Sequence, residues 1–472
     1  MAEDKPCIGD SSVHKKMKSR LVSSVARQFS FTEPTAELLT GWGRSSHSMA
    51  RVFEPGSPAE LLGVVHAMRD ERFLARGAGR SYGDTAMNGD GCVVRTTRMT
   101  TIHDLDEHTG NVVTDPGVSF GQLLHAFAPR GWIPTVTPGT QFATIGGAIA
   151  NDVHGKNHDH DGSFGDHLHW FDLVLPDASM RRVDATSDPA LFRATVGGIG
   201  LTGIIARASF KMKRVPSTRL LVRERRMSSL DEFLDALFEA RARSTYSVGW
   251  IDGVARGPRM GRGILETADH VDGPLRLTEP RRIRLPCDLP ARTINSVTVG
   301  CFNRLYYLRV PQRGRTRLVD LERFFYPLDS ILDWNRIYGR AGFAQLQCVI
   351  PDAQSRRGMS SLLQRVSASG RASFLAVIKT LGRSGRGYLS FPRPGVTLAL
   401  DFPRSSDTVR LLHSLHDIAL DHGGRVYLAK DSCLTAGHFR RMYPELSELQ
   451  AVLERIDPLR RMRSDMSARL EV

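Results

Sequence analysis

The sequence predicts a two-lobed α+β protein, and three observations carry that reading. The chain has 472 residues, more than one hydrophobic core usually supports, and its 41% hydrophobic content is that of an ordinary globular protein. Helix-period and strand-period segments alternate with glycine loops spread between Arg76 and Gly203. The formal GxGxxG at Gly198, Gly200 and Gly203 stands in the wrong context for a Rossmann turn, which must follow a strand and open a helix. Here "DPALFRAT" before it reads as helix and "GIIARASFKMKRV" after it alternates like a strand, so no nicotinamide site is expected.

Lys plus Arg outnumber Asp plus Glu by 64 to 50, a net charge of +14, which favours an anionic partner such as phosphate or acidic lipid. Nucleic acid is not expected, because no recognition motif appears and the 7% aromatic content forms no basic stripe. The six cysteines, at 7, 92, 287, 301, 348 and 433, form neither a CxxC nor a dense framework, which fits free thiols in a reducing compartment. No apolar run approaches the ~18 to 20 residues that span a bilayer, and the N-terminus lacks an apolar signal region, so a cytoplasmic location is expected. The basic cluster from His14 to Arg20, followed by Leu21, Val22, Val25 and Phe29, has the make-up of a membrane-surface helix. The plainer reading is a flexible basic extension over residues 1–37.

Elements follow in order. "SPAELLGVVHAMRD" reads as a helix capped by Ser57, with Leu61, Leu62, Val65 and Met68 on one face. "RFLARGAGRSYGDTAMNGDGCVV" reads as strand, glycine loop and strand; its glycines let backbone amides close on a phosphate, with Arg76 and Arg80 adding charge. "VVTDPGVSFGQLLHAFAPRGWIPTVTPGT" reads as strand, helix and a turn at Pro138-Gly139-Thr140. In "ATIGGAIAND" the small residues admit either tight helix packing or close approach of a flat cofactor.

From Ala150 to Trp170 the chain concentrates five histidines and four aspartates. A zinc site needs three or four ligands converging on one point, which these spacings on a turn-rich loop do not fix, so no metal is expected. The default for His158, His160 and the aspartates is a surface role.

The words "ARGAGRSYGD", "PGTQFATIGGAIANDVHGKNHDHDGSFGDH", "ATVGGIGLTGII", "FFYPLDSILDWNRIYGRAGFAQLQCVIP", "SFPRPG", "GGRVYLAKDS" and "IDPLRRMRSDMSARLEV" resemble, in order, the decaprenylphosphoryl-β-D-ribose 2-oxidases. These are FAD-dependent enzymes of the vanillyl-alcohol-oxidase-like flavoproteins, and the resemblance runs from Leu39 to the C-terminus. It implies a PCMH-type FAD-binding domain over about 38–213 and a substrate domain with an antiparallel sheet over about 214–422, with a mobile cover near 270–292. A C-terminal segment from about Gly423 would return to the FAD domain.

It further implies that Arg76, Gly77, Gly79, Arg80, Ser81 and Tyr82 hold the pyrophosphate. Pro138, Gly139, Thr140, Thr144, Gly147, Ala150, Asn151, Val153, Ile205 and Tyr427 would line the FAD. Some relatives tether the flavin through a histidine in the first loop; "RGAGRSYGD" has neither His nor Cys, so FAD is expected to be noncovalent. Lys430, with His154 and Lys156 of "HGKN", would be the catalytic group. Gln345, Gln347 and Lys379 would meet substrate hydroxyl and phosphate oxygens, and Trp250 would be a wall. The implied reaction is hydride transfer from a furanose secondary alcohol to the flavin, with polyprenyl-phosphoryl-β-D-ribose as substrate. A separate NAD(P)H-dependent short-chain reductase would complete the epimerisation, and the inner face of the plasma membrane is a natural peripheral location.

The chain departs from the family at four pocket positions. Ala399 stands where the mycobacterial enzymes carry an inhibitor-reactive cysteine, Thr397 replaces an asparagine, Leu381 a phenylalanine and Phe325 a tyrosine. These changes keep open a soluble sugar, alditol or nucleoside as substrate. A basic membrane-binding protein with a vestigial flavin fold is the reading from another class.

Overall fold

The computed structural model describes residues 32–472, apart from 279, 291, 292, 372 and 374. The basic cluster at His14–Arg20 lies outside the described residues.

Two sheets build the first lobe. Thr35–Thr40 and His47–Phe53 form an antiparallel hairpin, to which Cys92–Arg95 and then Phe73–Arg76 add in parallel. The helix Pro58–Ala67 connects two of these strands; Ser57 caps it by accepting from the Glu60 amide at 3.2 Å. Its core face is Leu61, Val64, Val65 and Met68, so Val64 takes the inward place expected of Leu62, which is only partly buried. The second sheet is antiparallel, in the order Ile102–Asp106, Asn111–Thr114, Ile204–Arg214, Leu168–Val174, Met180–Val183, with Trp132–Pro134 paired to the far end of Ile204–Arg214. The helix Pro189–Thr195 precedes the Gly198–Gly203 turn and the strand Ile204–Arg214 follows it, the reverse of a Rossmann turn.

The second lobe is an eight-stranded antiparallel sheet, ordered Arg315–Asp320, Arg219–Met227, Gly263–His270, Tyr246–Ile251, Ala376–Leu381, Gly395–Pro403, Phe343–Pro351, Arg425–Val426. Leu346, Cys348, Ile350, Leu398 and Leu400 are fully buried on one face with Leu362, Leu411 and Leu415 of the helices Ser355–Ala368 and Ser406–Asp421. The alternate residues of the same strands face the first lobe. Gly424 onward adds the last strand to this sheet, and the chain then crosses back. Arg469 donates to both carboxylate oxygens of Asp84 at 2.8 Å, and Asp465 NH donates to Met87 O at 2.8 Å. Residues 428–430 are thereby held at the seam between the lobes. No helix among the described residues is long and apolar enough to cross a membrane.

Candidate active site

A cavity of about 1160 Å³ runs along that seam. At one end lies the glycine loop after Phe73–Arg76. Ala78, Gly79, Arg80 and Ser81 offer four successive backbone N–H groups without a hydrogen bond among the described residues, and Gly79, at φ +64°, turns the chain so that they gather. The Arg80 guanidinium lies between Trp42 and Phe142, 4.3 and 4.8 Å from the ring centroids, and its buried Nε lacks a partner among the described residues. Gly139 lines the same end, and beyond its own chain neighbours no atom of the described residues lies within 4 Å of where a Cβ would stand. Asn151 is fixed by donating to Gly147 O at 2.8 Å, and its buried Oδ1 has no partner among the described residues. Unsatisfied amides, an unsatisfied guanidinium and open space against glycine suit the pyrophosphate and flat ring of FAD. The loop contains neither His nor Cys.

The floor is the inward face of the large sheet. In the register Gln345↔Asp401, Gln347↔Ala399, Val377↔Ala399 and Lys379↔Thr397, residues two apart on each strand share this face. Gln345 Nε2 donates to Asp401, which is fully buried. Lys379 Nζ donates to Gly155 O at 2.8 Å and lies 2.7 Å from His154 Nδ1; His154 Nε2 is 3.1 Å from the Gln347 amide. Tyr427, whose hydroxyl donates to Asn151 O at 3.0 Å, packs with its ring centroid 5.4 Å from that of His154.

Three amines meet in this closed space. Lys430 Nζ stands 3.3 Å from the centroid of the Tyr82 ring. Lys156 Nζ donates to Phe324 O and lies 4.1 Å from the Phe324 ring. Burial lowers Lys156 to about 8 and, with Lys156 itself as a like charge, Lys379 to about 7. Burial also pulls Lys430 down, opposed by the Asp401 carboxylate, while Asp401 is pushed up by burial against its Gln345 hydrogen bond and the Lys430 charge. His154 is held neutral by burial and by Lys379. The site can therefore hold an uncharged amine near neutral pH, beside groups that orient hydroxyls.

At the far end the lining turns basic. Arg309, Arg315 and Arg317 converge on the buried Glu224, with the rings of Trp250 and Tyr306 packed at 4.8 Å, tilted by 58°, beside them. Thr278, Pro280 and Arg281 of the expected cover line the cavity, and Arg282 pairs with Glu322 at 2.8 Å. Glu322 also accepts from Gln141 at 3.0 Å, Asp329 accepts from the Gln141 amide at 2.7 Å, and Tyr326 meets Thr137 at 2.6 Å, so residues 321–330 lock onto the first lobe.

Of the residues singled out from the sequence, Gly77, Gly79, Arg80, Ser81, Tyr82, Pro138, Gly139, Thr140, Thr144, Gly147, Ala150, Asn151, Val153, His154, Lys156, Ile205, Trp250, Phe325, Gln345, Gln347, Lys379, Ala399, Tyr427 and Lys430 line the cavity. Three do not. Arg76 turns beneath the glycine loop, donating to Ala86 O and Thr40 O at 2.8 Å each, and so props the loop rather than reaching into the cavity. Leu381 is packed with Val349, Phe391, Tyr427 and Ala429. Thr397 is buried opposite Lys379 and hidden from the cavity.

The surface expectation for the histidine-rich stretch also needs correcting. His160 is exposed, but His158 is buried and accepts from the Gly382 amide at 3.1 Å, and Asp152 is fully buried, accepting from Gly165 NH at 2.9 Å and Ser390 Oγ at 2.5 Å. These groups pin the loop that carries His154. Away from the cavity, His416, Asp431 and Cys433 bring ligand atoms within 4.8 Å of one another, but Asp431 is already engaged by Arg469 at 2.9 Å and by two backbone amides.

Asp401 was not singled out, although strand alternation from Thr397 and Ala399 points to it. Glu224 and its arginines come from segments tens of residues apart, and no local signal joins them.

Residues 49–184 match the FAD binding domain family. Over 454 residues, covering 93% of this chain and 98% of the relative, the chain is 37% identical to the decaprenylphosphoryl-beta-D-ribose oxidase of Mycolicibacterium smegmatis. It is 32% identical to an uncharacterised Streptomyces coelicolor protein over 75% of this chain and all of that one. It is 22% identical to the L-gulono-1,4-lactone dehydrogenase of Mycobacterium tuberculosis over 89% of this chain and 95% of that one. With near-complete coverage of the first relative and an FAD-binding domain where the glycine loops gather, the chain belongs to the decaprenylphosphoryl-β-D-ribose oxidase family of FAD-dependent oxidoreductases.

Proposed function

We propose that this protein oxidises the 2-hydroxyl of a polyprenyl-phosphoryl-β-D-ribose to the keto sugar, the first half of an epimerisation. The observation that carries this reading is the position of Lys430. Its amine lies between Tyr82 of the glycine loop and the Asp401–Gln345 pair of the sheet, where a cofactor end and a substrate end of one cavity meet.

Bound FAD supplies the acceptor for the carbinol hydride. The chain's own groups do the rest. The glycine-loop amides, Arg80 and Gly139 hold the cofactor, and Lys430 takes the hydroxyl proton at Nζ, its lowered pKa leaving an uncharged amine for the task. Asp401 steadies the ammonium so formed. Gln345, Gln347 and Lys379 fix the sugar oxygens, and Lys156 with the arginines at the far end meets the phosphate. Pro280 and Arg281, with residues 321–330, shut out water.

The keto sugar then leaves for a separate NAD(P)H-dependent reductase, which returns hydride to the opposite face. A lipid-linked substrate and the basic N-terminal cluster support a peripheral place at the inner face of the plasma membrane. Anaerobic addition of a farnesyl-phosphoryl-ribose analogue should bleach the oxidised flavin. The likeness to a gulonolactone dehydrogenase favours a second reading, a soluble sugar or lactone. Bleaching by such a compound and not by the lipid sugar would establish it.

A further inference from the structure

The helix Ser296–Leu308 is amphipathic the wrong way round. Its inward residues are Val299, the fully buried Asn303, which donates to Asp252 at 2.7 Å, and Tyr306, which packs on Trp250 at the cavity wall. Its outward stripe is Val297, Cys301, Leu305 and Leu308, spaced 4, 4 and 3 residues apart, one face of an α-helix. Val297 and Leu305 are each 71% exposed, and Phe302 beside them 43%. Asparagine inside and leucine outside inverts the pattern of a helix whose outer face meets water.

The charge along this segment is one-sided. From Ser296 to Val319 the chain carries five arginines and no carboxylate. Arg309, Arg315 and Arg317 are turned onto Glu224, but Arg304 on the helix and Arg313 just beyond it form no ion pair among the described residues. An apolar stripe edged with unpaired cations, on the back of a wall that lines the phosphate end of the cavity, matches a bilayer surface of anionic lipid.

We infer that the outer face of Ser296–Leu308 is a membrane-docking surface that seats the mouth of the cavity on an anionic bilayer. Val297, Phe302, Leu305 and Leu308 enter the acyl boundary, and Arg304 and Arg313 meet lipid phosphates. The inference rests on the lipid-phosphate reading of the substrate and explains how its polyprenyl chain need not leave the bilayer while its sugar reaches Lys430.

The test is sedimentation of the full-length, FAD-loaded protein with phosphatidylcholine vesicles, with and without phosphatidylglycerol, against a Val297→Gln/Leu305→Gln variant. The expected result is binding that requires phosphatidylglycerol, weakens with salt, and falls about tenfold or more in the variant. The variant's oxidation of a water-soluble farnesyl-phosphoryl-ribose analogue should be unchanged. Should the variant lose its flavin, Cys301 labelled with a polarity-sensitive dye in a Cys7→Ser/Cys287→Ser background reads the same face, and its emission should shift blue on vesicles. Equal binding by the variant would assign the membrane contact to the basic N-terminus and overturn the inference. So would an unshifted dye, no vesicle binding at all, or a dimer that the variant dissociates, which would make the face a contact between copies. Sedimentation needs no turnover, so failure of the substrate reading shows separately, as absent flavin bleaching.

Discussion

Nδ1 of His154 lies 2.7 Å from Nζ of Lys379, both buried, and Nε2 of the same ring lies 3.1 Å from the Gln347 amide. A neutral imidazole that accepts from Lys379 at Nδ1 carries its hydrogen on Nε2. The Gln347 Nε2 stands against that nitrogen, so the Gln347 amide must turn over to offer its carbonyl oxygen, which then aims its NH₂ into the cavity. Lys379→Met breaks this chain at its first link. KM for the lipid sugar should rise about tenfold to a hundredfold, the loss of one charge-assisted hydrogen bond, with FAD affinity unchanged. Anaerobic substrate titration followed by flavin absorbance checks both.

Lys430→Met should bind FAD with a normal visible spectrum yet slow flavin reduction by roughly 10² to 10⁴, the usual worth of a positioned proton acceptor. Rapid-mixing reduction under anaerobic conditions measures it. Reduction at the wild-type rate would remove Lys430 from the mechanism.

Asp401 makes the role of Lys430 testable by pH. The wild-type reduction rate should fall as pH drops through the Lys430 pKa, because protonation removes the free amine. The Asp401 carboxylate favours the ammonium and so raises that pKa against the pull of burial. Asp401→Asn removes the opposing charge, the amine loses its proton more readily, and the acid limb should move to lower pH. A limb that stays in place would separate Asp401 from Lys430.

Much of this site could be read from local words. The glycine loop, Pro138–Thr140, "HGKN" and "LAKDS" are contiguous stretches whose small or charged residues declare themselves, and all reach the cavity. Arg76 shows the limit of such reading: charge in a phosphate loop suggests a ligand contact, yet its guanidinium satisfies two carbonyls beneath the loop. His158 and Asp152 show the same limit, since a polar loop looks solvated until its partners, Gly382 and Ser390, arrive from more than two hundred residues away. The inverted helix Ser296–Leu308 became visible only when Asn303 found Asp252 beneath it.

Two glycines distinguish cofactor contact from loop packing. A Cβ on Gly77 would run into Thr144 Oγ1, whereas a Cβ on Gly139 meets no protein atom within 4 Å. Gly77→Ala should therefore lower the thermal stability of the apoprotein itself. Gly139→Ala should leave apoprotein melting unchanged but weaken FAD binding, seen as a smaller rise in Tm on adding FAD. If Gly139→Ala takes up FAD like the wild type, that corner of the cavity does not touch the cofactor.

Ala399 sits between Gln347 and Val377 on the cavity floor, where the family resemblance implies a cysteine open to nitroaromatic inhibitors. The neighbouring Cys348 faces the opposite side of the same sheet, fully buried, its thiol pushed up to about 12 by burial, and Cys433 is likewise raised by burial. Thiol chemistry runs through the thiolate, so neither replaces the missing residue. FAD-loaded protein turning over the lipid sugar, whose reduced flavin can pass two electrons to a nitro group and leave a thiol-reactive nitroso plus water, should show no covalent adduct with a nitrobenzothiazinone by mass spectrometry. Ala399→Cys under the same conditions should acquire one, its thiolate adding to the nitroso nitrogen. Because Ala399 holds no proton and contributes no polar atom, flavin reduction by the lipid sugar should be the same in both proteins. An adduct on the unaltered chain would overturn this: at Cys348 it would mean that a thiolate reaches the cavity through the sheet, and at the exposed Cys287 or Cys301 that the activated inhibitor reacts outside it.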